Sequence, residues 1–223
     1  MCLGISLPVQ AVDVPASTSV SPALDYPGGS LKGEYWQLTP KAIFTDGRDN
    51  PDHRIDVQIA GFGAPSGTFK ATQFAYFGND LTAMPGWLGS DAGSFVGTGV
   101  NLDDGAFRFT GFINITAPGV VNIGTRSDDG SRIKIGGIDI INNDNGHGDE
   151  TKDGDASFAS AGLYPIEITY FNGDWTSDNG LDHGGANFRL RMSGGGDNAS
   201  VTAGQVAMFH PAAPAPEIGR AHV

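Results

Sequence analysis

The chain has 223 residues, 39% of them hydrophobic, which suffices for one sizeable core or one domain with tails, and no run approaches the roughly 18 apolar residues of a membrane helix. A formal net charge of -12 and the lack of any basic stripe exclude the phosphate-contacting surface that nucleic-acid binding needs. The single cysteine, Cys2, excludes an internal disulfide and a thiolate zinc cluster, so a bound metal would be hard and oxygen-seeking.

Among the 25 acidic residues Asp outnumbers Glu 21 to 4, and with 34 Gly this describes a turn-rich chain poor in helix. Residues 1–11, MCLGISLPVQA, resemble the end of a secretory signal with a Val9-x-Ala11 cleavage pattern, although the positive n-region is missing. Residues 12–29 are Pro/Ser/Ala-rich without periodicity and read as a linker. A β-domain is expected over 30–209. It opens with a strand at LKGEYW (31–36), where Trp36 reads as core, and RIDVQIAGF offers at most one helical turn. Asp103-Asp104-Gly105 reads as a strand-leading turn. Period-two alternation then places Phe107, Phe109, Ile113 and Ile115 on one face, and later Ile166, Ile168 and Tyr170, and Phe188, Leu190 and Met192, with Arg189 and Arg191 pointing the other way. Ile133/Ile135 and Ile138/Ile140 flank Gly136-Gly137, the signal for a tight hairpin with a primed turn. The predicted class is all-β, an antiparallel barrel or sandwich of two packed sheets. Residues 210–223 form a Pro/Ala tail, whose end from Glu217 to Val223 resembles translated sequencing adapter and is set aside from fold reasoning.

Two features invite chemistry. Asp128 and Asp129 stand side by side in Ser-Asp-Asp-Gly, just before the hairpin. Asp-Asp-Gly also makes good turns for purely local reasons, so the residues alone leave open a turn or a chelating pair. The acidic stretch 142–155, NNDNGHGDETKDGD, lacks the EF-hand register and its bidentate Glu, and reads as a solvated hairpin loop in which His147 fixes a turn or sits near the site. The five histidines make no His-x-x-x-His pair, and neither a Gly-x-Ser-x-Gly elbow nor a βαβ glycine motif occurs, so the expectation is a non-enzyme. Asn114-Ile-Thr116 and Asn198-Ala-Ser200 fit the glycosylation acceptor pattern.

LKGEYW, SDDGSRIKIGGIDIINNDNGHG (127–148), AGLYPIEITYFNG and GGANFRLRM, in this order, resemble the protective-antigen domain, a carbohydrate-binding β-barrel module of flocculins and bacterial adhesins. The resemblance covers roughly residues 30–195. It implies that Asp128 and Asp129 are joined by a cis peptide and hold a calcium ion that itself coordinates sugar hydroxyls. A cis bond shortens the Cα separation from about 3.8 to about 2.9 Å and can turn adjacent carboxylates to one side. Calcium takes about 6 to 8 oxygens, so a protein supplying fewer leaves room for a vicinal diol. The resemblance implies further ligands from a later loop, here 172–187, which is longer than the compact Gly-rich loop of bacterial relatives; Asp182, His183 through its carbonyl, and Gly184 are inferred as substitutes, without a strict motif match, to join the metal set. The carbohydrate set is Asp128, Asp129, Trp175, Asp178, Asn179 and Asp182, with Trp175 either stacking on a pyranose or covering the barrel end. Gly185 stands where some relatives carry an acidic ligand.

Three functions follow from this reading. The favoured one is a calcium-dependent, lectin-like module of a secreted or cell-surface adhesin or carbohydrate-active protein, with a glycan as partner, as a monomer or as one module of a larger chain. The second is a structural or protein-binding β-domain whose Asp pair serves only its turn. A third is a module that accompanies a glycosidase. Asp129→Asn is expected to separate the first two, weakening ion and glycan binding while leaving the fold alone.

Overall fold

The computed structural model describes residues 10–20, 30–38, 47–79, 81–98, 102, 104–173 and 185–192, and the backbone of 206–209. In chain order the strands are β1 (Val12–Val14), β2 (Leu31–Gln37), β3 (Gly67–Ala71), β4 (Ala75–Tyr76), β5 (Val96–Gly97), β6 (Gly105–Ile115), β7 (Gly119–Asp128), β8 (Ser131–Ile135), β9 (Ile138–Asn143), β10 (Glu150–Phe158), β11 (Gly162–Asn172), β12 (Asn187–Met192) and β13 (Val206–Phe209). Two short α-helices, α1 (Ile55–Gly61) and α2 (Met84–Leu88), lie between β2 and β5. The larger sheet runs β5-β3-β2-β6-β11-β8-β9, with β13 also on β6, and the smaller runs β1-β10-β7-β12-β4. All pairings are antiparallel except that of β1 with β10. The expected all-β class with two packed sheets is the observed one.

The two inner faces meet in one core built from the predicted alternations. Phe107, Phe109, Ile113, Ile115, Ile166, Ile168, Tyr170, Phe188 and Leu190 are all buried. Phe109 of the larger sheet stacks on Phe188 of the smaller with centroids 5.1 Å apart, and Trp87 stacks on Tyr76 at 4.6 Å. Trp87 comes from α2, which sequence reading missed. Its apolar residues Met84, Trp87 and Leu88 recur at helical spacing, Pro85 fits the first turn, and Gly89, at φ 54°, ends it.

A second, smaller core lies on the outer face of the larger sheet. There α1 lays Ile55 and Ile59, four residues apart, over Trp36, Leu38, Ala106 and Phe171. Trp36 is core, as expected, but of this outer cluster. The single helical turn expected at RIDVQIAGF is a helix of seven residues.

Three further expectations meet the structure directly. Gly136 and Gly137 have φ of 59° and 81°, as a two-residue primed turn requires, and join β8 to β9. The register shifts between Ile133 and Lys134, so Ile140 and Ile141 are both buried despite being adjacent. The stretch taken as linker is, over residues 12–20, part of the fold: β1 pairs with Ala156–Phe158, Val14 is buried, and Val20 bridges Leu163. Its Pro and Ser content hides a strand of only three residues. The acidic stretch 142–155 is not a hairpin loop either, because β9 and β10 belong to different sheets. Asp144 in that crossing is fully buried.

Candidate functional site

Asp128 ends β7 and Asp129 follows it through a cis peptide bond. The turn is fastened from within. Thr125, Ser127 and Ser131 are wholly buried and form a hydroxyl chain, Ser127 Oγ to Ser131 Oγ at 2.9 Å and Ser131 Oγ donating to Thr125 Oγ1 at 2.8 Å. These hydroxyls satisfy one another in a space where unpaired polar atoms would be costly. Tyr170 Oη donates to the carbonyl of Asp128 at 2.7 Å, and Phe171 N donates to that of Gly130 at 3.0 Å. Gly130 has to be glycine, since a Cβ there would lie 2.3 Å from the Phe171 ring and 2.8 Å from the Asn145 carbonyl.

Asp129 is 3% exposed. Its Oδ1 accepts from His147 N at 3.0 Å and its Oδ2 from Gly173 N at 2.9 Å. Two loops thereby converge on a single carboxylate. His147 fixes its own loop through contacts of its ring with Asn143 and the Gly148 carbonyl, and Arg126 grips Asp149 just beyond it at 2.6 Å. The sequence reading placed His147 at a turn or near the site, and its backbone does both. Gly173 and Tyr170 were missed; the first is only a glycine after a strand, and the second reads as core.

Asp128 meets the other end of the second loop. A Cβ on Gly185 would lie 2.8 Å from Asp128 Oδ2, so the backbone at Gly185 approaches this carboxylate as only glycine permits. Gly185 is held there by pairing with Asn79, while Ala186 N donates to the Gly78 carbonyl and Asn187 pairs with Asp128. Residues 173 and 185, which bracket the second loop, therefore touch Asp129 and Asp128 respectively. Trp175, Asp178, Asn179, Asp182, His183 and Gly184 lie outside the described residues, as does Asp103. Among the described residues no group of three or more His, Cys, Asp or Glu side chains could hold a metal. The donor set present, two carboxylates with glycine backbone drawn against one of them, suits an oxygen-seeking ion completed by backbone oxygens. Asp104, in the other Asp-Asp-Gly, has φ 49° and simply leads into β6, as expected.

A separate buried network lies between α1 and β8–β9. Asp144 Oδ2 accepts from Ile55 N, the first residue of α1, at 3.0 Å and from Arg132 at 3.4 Å. Burial pushes the Asp144 carboxyl up to about 6 despite these donors. Asp56 beside it is also desolvated, but hydrogen bonds from Arg54 and Lys134 outweigh burial and hold its carboxyl down at about 2.

The family model of the PA14 domain matches residues 92–201. Over those residues the chain resembles a PA14 domain. Among solved structures it is similar to the PA14 sugar-binding domain of an RTX adhesin, with 22% identity, a TM-score of 0.59, and 82% of this chain and 99% of that one covered. It is also similar to the PA14 domain of the antifreeze protein MpAFP, with 21% identity, a TM-score of 0.57, and coverage of 80% and 89%. At these identities the likeness establishes the fold. No curated protein matches the chain.

Proposed function

We propose that this domain is a calcium-dependent carbohydrate-binding module of a secreted or cell-surface protein, binding its glycan without converting it. The observation that carries this reading is the placement of the second loop, both of whose ends, Gly173 and Gly185, abut the Asp128-Asp129 pair. A turn formed for local reasons alone needs no such convergence. The description of the similar RTX adhesin domain as sugar-binding supports the same reading.

In this reading Asp128 and Asp129 hold the ion, and Asp182 with the carbonyls of His183 and Gly184 completes the protein's share. The ion supplies open coordination positions for vicinal sugar hydroxyls. Two backbone N–H groups fix the Asp129 carboxylate in place; Trp175, Asp178 and Asn179 contact the sugar. A glycan array run with calcium and again with chelator, on the wild type and on Asp128→Asn, tests this. Selective signals that vanish with chelator and with the substitution are expected. A blank wild-type array under both conditions would instead favour a structural domain.

A further inference from the structure

The outer face of the smaller sheet continues the candidate site. Tyr76 stands opposite Phe188 and Asn79 opposite Gly185, a register that sets Phe77 opposite Asn187; Asn187 in turn pairs with Asp128. Opposed residues of neighbouring antiparallel strands share a face. The next row, Tyr76, Phe188 and Ser127, is entirely buried, which places the row Phe77, Asn187 and Asp128 outward. Two strand spacings of about 4.8 Å put Phe77 about 10 Å from Asp128 across the sheet. Phe77 is 48% exposed and is the one aromatic among the exposed large hydrophobics of the described residues. The Arg189 guanidinium lies over the ring, 4.1 Å from its centroid, and holds it in place.

We infer that this row is a second subsite, in which Phe77 stacks against the sugar that follows the one bound at the Asp pair, so that the preferred ligand is at least a disaccharide. An exposed aromatic ring offers its π face to the apolar C–H face of a sugar, and the amide of Asn187, between the two positions, offers a donor and an acceptor. The inference rests on the carbohydrate-binding reading. It is distinguished from that reading by what Phe77 does to the second sugar alone.

The test uses calorimetry in calcium with mannose, glucose, galactose and fucose, and with disaccharides that terminate in each. In the wild type the disaccharide of the preferred sugar is expected to bind about tenfold more tightly than the monosaccharide, an aromatic stacking contribution. Phe77→Ala should abolish that advantage and leave monosaccharide and calcium affinities unchanged, while Phe77→Trp should restore it. A disaccharide advantage that survives Phe77→Ala, or none in the wild type, overturns the subsite while the parent reading stands. Absence of all sugar binding in the wild type overturns both.

Discussion

Asp129 receives a backbone N–H on each carboxylate oxygen, which settles what its replacement does. Asparagine must present an amide N–H₂ to one of these donors, so Asp129→Asn is expected to cost the fold about 1 to 3 kcal/mol as well as weakening ion binding. This revises the expectation that the fold would be untouched. A melting temperature lowered in chelator, relative to wild type and to Asp104→Asn, is the check. Asp128→Asn is the cleaner probe of binding, because Asp128 is only half-buried. Gly185→Ala acts on the same oxygen from the other side. Its Cβ would intrude to 2.8 Å from Asp128 Oδ2, and calcium affinity should fall about 10- to 100-fold, as when a ligand-orienting contact is disturbed. Calcium titration calorimetry measures it, and unchanged affinity would separate Gly185 from the site.

Among the elements, β1 is the smallest, and its role lies in packing. Val14 is 1% exposed and belongs to the main core, while Val12 and Asp13 pair with Ala156 and Ser157. Val14→Ala is therefore expected to destabilise the domain by about 1.5 to 3 kcal/mol, from lost apolar burial and the cavity left. Thermal unfolding of the full chain checks this, and no change would return residues 12–14 to the role of a linker. α1 is tied down differently. Asp144, far along the chain, accepts the N–H of Ile55, doing for the first turn what a capping side chain would otherwise do, and no side chain at Arg54 caps it.

For the whole molecule, the same Asp144 gives stability a pH dependence. Its carboxyl is at about 6 in the folded state against 3.8 ordinarily, so the folded chain retains a proton that the unfolded chain releases. Stability should then fall by up to about 3 kcal/mol as pH rises from about 4 to about 6. Asp56 has the opposite sign, since its carboxyl lies at about 2 and its contribution is lost as pH falls from about 4 towards 2. Glu34 acts in the same direction: burial opposes its ionisation, but Lys32 and Arg108 prevail and lower it. Chelator-treated protein is thus expected to be most stable near pH 4, and Asp144→Asn should remove the decline towards pH 6; urea unfolding at several pH values reads both. Calcium adds a further term. A site with a dissociation constant of about 10⁻⁴ to 10⁻³ M, the range of extracellular modules, stabilises by about 1.4 to 2.7 kcal/mol at about 10 mM calcium. Calorimetric melting that does not shift with calcium would contradict the proposed ion.

The sequence alone determined what depends on neighbours along the chain. Period-two alternation placed Phe107, Phe109, Ile166, Ile168 and Phe188 in the core because side-chain direction in a strand is local, and Gly136-Gly137 specified its turn because few other residues adopt positive φ. The Asp128-Asp129 pair stood out for the same reason, as adjacent like charges in a turn. Only the tertiary structure decided which groups surround that pair. The N–H group of His147 comes from the crossing between β9 and β10, and the N–H group of Gly173 and the backbone at Gly185 from the two ends of a later loop, and no spacing rule brings them to the pair. Composition likewise misled where three-dimensional pairing outweighs it, as at β1, buried within a stretch rich in Pro and Ser, and at Asp144, an acidic loop residue that caps a distant helix in the dark of the protein. Burial is a property of the assembled fold, and it is what turns these ordinary polar residues into structural ones.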